Sequence, residues 1–304
     1  MGWIFEGPFH QTHLRDARLC MKMFELKYRY GAPPETRSLA MVNGSAMHKA
    51  IERMHVEGLF DLADGFKALY LAAFAEAEAR EDIPIRWDKG KDEDLERLSG
   101  DACEILQRYN LKGMNRQAEV LLSEACFTVQ IGGYAFAGIL DQYRRQGDAK
   151  ILIDFKSGKT KPMDLTLRLG TQFSVYTHAI VHGEFLGTGK GHKRVPVSLP
   201  DQVVHYQLYD HLPYKKTGKW GNKGQERGPA WYPTERTEHD LKASEQEIRR
   251  ICGNIRRGTF PRAENDMICR MCRFQEACLQ DYLHGGLDEK LARKLRITLS
   301  EEDE

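Results

Sequence analysis

The chain has 304 residues, of which 41% are hydrophobic and 29% charged, enough for one large or two modest globular domains. Lysine and arginine number 45 against 44 aspartates and glutamates, so any basic surface for a nucleic acid would have to be local. No apolar run reaches about 18 residues, and the N-terminus lacks the order of a signal peptide. We therefore expect a cytoplasmic protein without a membrane partner.

The first hundred residues have the spacing of helices. Residues 10–30 predict a helix that carries Cys20. "NGSAMHKAIERMHVEG" predicts a second helix, capped by Asn43 or Ser45 and closed by Gly58. Two more amphipathic helices are predicted in "DLADGFKALYLAAFAEAEAR" and "DEDLERLSGDACEILQRYNLKG".

The pattern changes to strands at Glu119. "EVLLSEACFTVQIGGYAFAGILDQYRRQGDAKILIDFKSGK" predicts three consecutive strands, broken at Gly132-Gly133 and at Gln-Gly-Asp. A helix follows in "DLTLRLGTQFSVYTHAIVHG", a strand in "VVHYQLYDHLPY", a long helix in "EHDLKASEQEIRRICGNIRRGTF" and a short helical stretch in "CRMCRFQEACLQDY". This order predicts an α/β fold with a mixed central sheet flanked by helices.

An acid and a lysine end the third predicted strand. Asp154 and Lys156 share one face of the strand, while Phe155 points to the other. Asp141 follows the apolar stretch "YAFAGIL" and lies beside Asp154 if the second and third strands pair. Two close carboxylates favour a neutralising cation, and hard oxygen ligands favour Mg²⁺ or Mn²⁺. The lysine can then serve a water or offset transition-state charge, although the pattern alone is typical of a structural ion pair.

Two further motifs flank this strand. "GSAMHKAIE" places His48 one turn into a helix, and "GTQFSVYTHA" places Gln172 and Tyr176 on one helix face. Each is typical of an ordinary helix when taken alone. In order along residues 40–180, the chain carries Gly44 to His48, Gly138 to Asp141, Asp154-Phe155-Lys156, and Gln172 to Tyr176. Together they resemble the RecB-type branch of the PD-(D/E)XK nuclease superfamily.

The resemblance implies roles for these residues within one nuclease domain, residues 1–304, whose core covers about 40–210. The divalent ion is expected on His48, Asp141, Asp154 and the carbonyl of Phe155. Lys156 is expected to serve the attacking water, and Gln172 and Tyr176 to steady Lys156 and the region of the scissile phosphate. Glu124, on the first strand, is a candidate additional acid. Asp154 stands where many members have Glu, a change that the family pattern allows.

Seven cysteines in a chain expected in the cytosol argue for metal ligation rather than disulfides. Cys269, Cys272 and Cys278 form C-x2-C-x5-C, one thiolate short of a closed site. Three more lie in apolar strand or helix positions and are expected to be small buried hydrophobes, namely Cys103, Cys126 and Cys252. Cys20 remains.

The split of one early cysteine and three late ones resembles iron–sulfur nucleases of the AddB and CRISPR-associated exonuclease type. That resemblance implies a [4Fe–4S] cluster on Cys20, Cys269, Cys272 and Cys278, joining residues 1–39 to 250–280. The spacing does not distinguish such a cluster from Zn²⁺ on the same four thiolates, and free thiols are the remaining alternative. Residues 281–304 are predicted to be a charged tail.

Cations alternate with aromatic rings in "YKKTGKWGNKGQERGPAWY", which is rich in glycine and predicts a mobile loop. Such a mixture suits the phosphates and bases of a single strand. A solvated loop is the alternative. The candidate DNA contacts are Lys159, just beyond the third strand, with Lys215, Lys216, Lys219, Trp220, Arg227 and Trp231.

The sequence therefore predicts a metal-dependent DNA exonuclease that acts on single-stranded DNA or duplex ends, in recombination, repair or phage DNA processing. A recombination or helicase partner is expected. The alternative is an end-processing subunit or adaptor of a recombination or CRISPR spacer-acquisition complex, with little activity alone. RNA remains an alternative substrate, because no motif in the sequence distinguishes DNA from RNA through the 2′-hydroxyl.

Overall fold

The computed structural model describes residues 5–29, 36–62, 65–186, 198–217, 221–263 and 265–295, without the side chains of residues 113, 114 and 295. Its helices are α1 Gln11–Leu19, α2 Met21–Arg29, α3 Leu39–Val56, α4 Phe66–Ala79, α5 Lys91–Leu111, α6 Gly113–Arg116, α7 Asp164–Leu169, α8 Thr171–His182, α9 Glu238–Arg256, α10 Asp266–Met271, α11 Gln275–His284 and α12 Glu289–Leu295. Its strands are β1 Arg37–Ser38, β2 Ile85–Arg86, β3 Glu119–Ile131, β4 Tyr134–Gln146, β5 Ala149–Lys156, β6 Glu184–Leu186, β7 Gln202–Gln207 and β8 Trp231–Thr234. Within these ranges no helix has both the length and the apolar character needed to cross a membrane.

Six strands form one mixed sheet in the order β6-β3-β4-β5-β7-β8. β5 pairs antiparallel with β4 and parallel with β7, and β7 pairs antiparallel with β8. Helices accompany this sheet, so the predicted fold class, a mixed central sheet flanked by helices, is confirmed. The predicted three-strand meander is also confirmed, because Gly132, Gly133 and Gly147 adopt the positive φ that its two tight turns require.

The chain divides into two compact units. The larger consists of residues 35–127 and 139–237 and contains α3 to α8 and most of the sheet. Its core packs α3, α4 and α5 against apolar side chains of β5 and β7, including Ile153, Phe155 and Val204. Burying this many aliphatic and aromatic side chains is the main stabilising term for the sheet, at roughly 25 cal/mol per Å² of apolar surface.

The smaller unit consists of residues 1–34, 128–138 and 238–304. Phe9 pairs with the β4 tip through two backbone hydrogen bonds of 2.8 Å, to Ala135 and Ala137. A small core joins α2, α11 and α12 through Leu26, Phe274 and Leu291 among others. Within the predicted charged tail, the described part contains α12, and Leu287, Leu291 and Ala292 are buried in this small core.

Several element boundaries differ from the prediction for local reasons. Residues 10–30 form two helices, because Cys20 adopts an extended conformation between α1 and α2. The helix that carries His48 begins earlier than predicted: Ser38 is its N-cap and accepts a hydrogen bond from Met41 N, while Asn43 lies inside the helix and accepts one from Tyr70. Of the elements the sequence did not predict, β6 and β8 are too short to give a periodic signal.

The predicted helix over "DLTLRLGTQFSVYTHAIVHG" is broken into α7 and α8. Gly170 lies at the break, and a Cβ added there would lie only 2.8 Å from the carbonyl oxygen of Thr166. This close approach lets α8 begin directly after α7. Gln172 and Tyr176 therefore lie in the first two turns of α8.

Candidate active site

The spacing of two residues within β5 places the first two groups of the site on one face of the strand. Asp154 is 1% exposed and Lys156 ends the strand, with the lysine ammonium 2.7 Å from each of the Asp154 carboxylate oxygens. Phe155 points to the opposite face, as predicted, where its ring packs against Tyr109 and Tyr206. The buried ring anchors the strand, so that the acid and the lysine are held at a fixed position on the other face.

Asp141 reaches this strand through the backbone. Its Oδ2 accepts a hydrogen bond of 2.7 Å from Phe155 N, and the side chain is buried. The antiparallel pairing of β4 with β5, which includes Gln142 opposite Ile153, brings Asp141 to this position. Burial raises the pKa of Asp141 to about 7, with His48 opposing and Asp154 reinforcing the rise. A bound cation would therefore favour the ionised form of this carboxyl.

His48 faces these carboxylates from α3. Its Nδ1 lies 3.3 Å from Glu124 Oε1 and 3.6 Å from Asp141 Oδ2, and its Nε2 lies 2.9 Å from the carbonyl oxygen of Phe155. Burial lowers the pKa of His48, but the Asp141 and Glu124 carboxylates outweigh burial and raise it to about 9. A metal ion can bind only after the ring loses this extra proton. The neutral ring that donates from Nε2 to the Phe155 carbonyl then has its lone pair at Nδ1, facing the two acids.

The Gly-x-x-x-His spacing has a steric basis. Gly44 lies one turn before His48 on α3, and a Cβ at position 44 would lie 3.2 Å from Ser157 Oγ. Glycine therefore permits α3 to approach the residue that follows Lys156. Without that approach His48 would not lie beside the end of β5.

Glu124 reaches the site through a bulge in β3. Its φ is +44°, a left-handed conformation that non-glycine residues rarely adopt. The buried positions shift from Leu122 to Ala125, so the alternation slips by one residue at Ser123 and Glu124. The same slip leaves Cys126 exposed, and the prediction that it is a buried hydrophobe is wrong. Of the other two cysteines predicted to be buried, Cys252 is buried and Cys103 is half-buried.

Three side chains that could bind a divalent ion converge here. One ligand atom each from His48, Glu124 and Asp141 lies within 4.8 Å of the others. Imidazole and carboxylate donors can bind Mg²⁺ or Mn²⁺. The site also borders a hollow of about 560 Å³ that is lined by Gly44, Ser45, His48, Lys49, Glu52, Ala73, Glu76, Ala77, Arg80, Glu124, Cys126 and Ile139. Glu124, which the sequence offered only as an additional acid, is thus central to this group.

Helix α8 supplies the last predicted residues. The amide nitrogen of Gln172 donates to Asp154 Oδ1 at 2.7 Å and to the Tyr176 hydroxyl at 3.1 Å. Tyr176 is 5% exposed and its ring packs edge-on against Phe127. Burial raises the pKa of the Tyr176 hydroxyl well above its usual value, so it stays protonated. The spacing of four residues on α8 thereby orients the carboxylate that holds Lys156.

The order of these residues along the chain and their convergence match one known family. A scan against protein-family models matches residues 8–279 to the PD-(D/E)XK nuclease superfamily. The chain belongs to this superfamily. Its candidate metal group and its Asp-x-Lys strand therefore lie in the setting of a metal-dependent nuclease.

Two solved structures align with most of the chain. A candidate exonuclease from Eubacterium rectale aligns over 91% of this chain and 93% of its own, at 14% identity and a TM-score of 0.47. The protein SSO0001 aligns over 86% of this chain and 95% of its own, at 12% identity and a TM-score of 0.30. No curated protein matches the sequence.

Four cysteines of the nuclease line one cavity in the smaller unit. The cavity is about 460 Å³, and Cys20, Cys269, Cys272 and Cys278 lie on its wall with apolar neighbours such as Met23. All four thiols are half-buried. Burial raises the pKa of Cys272, and the other three sulfurs add to the rise. Among the described residues, no three of these sulfurs lie within 4.8 Å of one another.

The candidate DNA contacts have different surroundings. Trp231 is not a free ring: it packs edge-on against Tyr206, and Arg144 lies 5.3 Å from its centre. Lys215 is 76% exposed, with its ammonium 3.6 Å from Asp101, and Lys216 is exposed. Lys219 and Trp220 lie outside the described residues. The remaining two, Lys159 and Arg227, lie over aromatic rings.

The segment predicted as a mobile loop is folded back on itself where the structure describes it. Tyr214 N donates to Gln225 O and Gly224 N donates to Tyr214 O, both at 2.9 Å. Arg227 N donates to Asp210 O at 3.0 Å. Glycine content alone therefore does not predict mobility here, because the described part of the segment is held by these hydrogen bonds and Gly224 lies at a turn with positive φ.

Proposed function

We propose that the protein is a metal-dependent exonuclease that hydrolyses phosphodiester bonds of DNA, acting on single strands or duplex ends. The observation that carries the proposal is the convergence of His48, Glu124 and Asp141 next to the Asp154–Lys156 pair. Recombination, repair or phage DNA processing is proposed as the setting, on the sequence resemblance alone.

We propose that the ion is held by His48 Nδ1 and the carboxylates of Glu124 and Asp141, with Asp154 and the Phe155 carbonyl as further ligands. When bound, Mg²⁺ or Mn²⁺ lowers the pKa of a water and withdraws charge from the phosphate. The donor set supports this, because two acids and one imidazole in a half-buried hollow favour a cation over leaving the acids to repel each other.

Lys156 supplies a positive charge at the end of β5. Its ammonium is held by both oxygens of Asp154, which fixes its position without burying it, since the lysine side chain is 38% exposed. A fixed cation beside the scissile phosphate stabilises charge that develops in the transition state, and it can steer the attacking water. Gln172 acts through Asp154 as a positioning residue.

We further propose that Cys20, Cys269, Cys272 and Cys278 bind a [4Fe–4S] cluster that stabilises the smaller unit. The shared cavity supports this proposal. Tetrahedral Zn²⁺ on the same four thiolates is the alternative occupant. When bound, the cluster cross-links α2 to α10 and α11 and takes no part in hydrolysis.

An end-labelled single-stranded oligonucleotide tests the proposed activity. The protein is incubated with Mg²⁺ or Mn²⁺ and with substrates blocked at the 5′ or the 3′ end. Stepwise shortening from one end is expected, and the blocked substrate that resists gives the polarity. A single internal cut overturns the exonuclease assignment. No cleavage of DNA or RNA by the purified protein, with activity restored by a partner complex, favours the end-processing subunit instead.

A further inference from the structure

We propose that Lys159, Tyr209, Tyr214 and Arg227 form a phosphate-binding subsite that guides a single strand of nucleic acid away from the catalytic lysine. We call these four residues the cation–aromatic cluster. The proposal rests on the proposed function, because it deepens the substrate contacts of the same site.

Two cations of the cluster share one ring. The Lys159 ammonium lies 5.5 Å from the centre of the Tyr209 ring, and the Arg227 guanidinium lies 5.1 Å from the same centre. Arg227 also lies 4.8 Å from the centre of the Tyr214 ring. Rings hold cations at these distances through the quadrupole of the π-system, with little neutralisation of their charge.

The cluster keeps its positive charge. Among the described residues no carboxylate oxygen lies within 4.0 Å of the Lys159 or Arg227 cation, whereas many other lysines and arginines of the chain have such a partner. The nearest acids in sequence are engaged elsewhere: Asp210 accepts from Tyr232, and Glu226 pairs with Lys112. Two positioned cations without counter-ions favour an anionic ligand, and phosphates are the anions of the proposed substrate.

The cluster is fastened to the catalytic strand. Lys159 follows Lys156 by three residues, and the amide of Gln207 donates to the Gly158 carbonyl between them. Gln207 lies opposite Lys156 in the β5–β7 pairing, and Tyr209 follows two residues later. The loop that carries Lys159 is therefore tied at one end to the strand that carries the catalytic pair.

A second tie fixes Arg227. Lys161 donates to the Arg227 carbonyl at 2.9 Å, and its ammonium lies 3.8 Å from Asp210 Oδ2. A Cβ at Gly228 would collide with the side-chain ends of Asp210 and Lys161, so a larger residue there would displace this pair. The two cations are thus presented by rigid backbone rather than by free loops, which lowers the entropy lost when a phosphate binds.

The test is binding without cleavage. A fluorescein-labelled oligothymidylate of about 15 nucleotides is titrated in EDTA and followed by anisotropy at several salt concentrations. Arg227→Ala and Lys159→Ala are each expected to weaken binding about tenfold and to reduce the salt slope by about one unit. Arg116→Ala is the matched control, because Arg116 also lies over a ring, that of Phe60, but pairs with Asp61.

A small phosphodiester separates this proposal from the proposed function. Bis(p-nitrophenyl) phosphate with Mn²⁺ reports on the metal site without a nucleic-acid strand, and the Arg116→Ala control should hydrolyse it at the wild-type rate. Wild-type binding by both variants overturns the subsite. If both variants bind the oligonucleotide more weakly but the wild type hydrolyses neither DNA nor the small diester, the nuclease function is wrong. The phosphate-binding subsite is then still supported. Circular dichroism shows whether each variant is folded. If either is unfolded, Tyr209→Leu, which removes the shared ring, is titrated instead, and wild-type binding by Tyr209→Leu overturns the subsite.

Discussion

Lys156 and Asp154, two residues apart on β5, hold each other at 2.7 Å on one face of the sheet. The same carboxylate accepts a hydrogen bond from Gln172 on α8, also at 2.7 Å. One buried acid therefore contacts both the Lys156 ammonium and the helix that follows. Because two motifs of the sequence, Asp-x-Lys and Gln-x-x-x-Tyr, meet at this carboxylate, a small displacement of either should change the rate of hydrolysis rather than the fold.

Removing the amide of Gln172 tests this arrangement. Gln172→Leu is expected to lower kcat about 10- to 100-fold with KM and metal affinity close to wild type, because Asp154 loses a neutral donor that orients it. Single-turnover cleavage of a labelled oligonucleotide measures the change. The matched control is Gln107→Leu on α5, since Gln107 lines a separate hollow with Phe60 and Asn110. Equal rates for Gln172→Leu and wild type would contradict the positioning role.

The affinity for Mn²⁺ should rise with pH. Without metal, the pKa of His48 is about 9 and that of Asp141 about 7, so at neutral pH His48 and part of the Asp141 population carry protons that a bound ion must displace. Affinity is expected to increase between pH 6 and 9, by up to about tenfold per pH unit for each proton displaced, and to level off above that range. Calorimetry in buffers of different ionisation enthalpy counts the released protons. An affinity that does not change over this range would show that neither group is a ligand.

The left-handed backbone of Glu124 predicts an inverted order of stability. Glu124→Gly should unfold at higher urea than Glu124→Val, by about 1–2 kcal/mol in the free energy of unfolding, because a β-branched side chain is strained at positive φ. Urea denaturation followed by fluorescence measures both. At Glu119, an exposed residue of ordinary strand conformation in the same β3, valine should be at least as stable as glycine. The same order at both positions would mean that the bulge is not strained.

The cysteine proposal predicts which thiols carry iron. Protein purified without oxygen should contain about four irons per chain and absorb in the visible. Cys20→Ala and Cys272→Ala should lose most of the iron and lower the thermal midpoint, whereas Cys126→Ala should retain both, because Cys126 is exposed on β3 and lies outside the cavity. Stoichiometric zinc with no iron would show a zinc site in place of the cluster. Absence of both metals would show that the thiols are free.

Much of the fold was predictable because local and long-range signals agree. Gly132-Gly133 and Gly147 mark the turns of the meander, and apolar alternation identifies β3, β4 and β5. The Asp-x-Lys strand and the Gln-x-x-x-Tyr helix were also readable, since their spacing determines which side chains share a face. These features depend on residues near one another in sequence.

The rest depends on contacts that the sequence does not encode locally. A glutamate gives no sign of the left-handed conformation of residue 124, so neither the bulge nor the exposure of Cys126 was predicted. The cluster formed by Lys159, Tyr209 and Arg227 joins segments about 20 to 70 residues apart. The alternation of His205 and Gln207 with Val204 and Tyr206 in β7 is a sequence signal for a polar face beside Asp154 and Lys156 of β5.

The most direct test of the account compares wild type with Lys156→Ala in single-turnover cleavage of a 5′-labelled oligonucleotide, with Mn²⁺ and with EDTA. Lys150→Ala is the control, because Lys150 is on the same strand but its ammonium bonds to Ser198. Wild type and Lys150→Ala are expected to cleave only when Mn²⁺ is present, and Lys156→Ala at a rate at least about 10³-fold lower with unchanged Mn²⁺ affinity. Cleavage in EDTA, or a wild-type rate for Lys156→Ala, would contradict it.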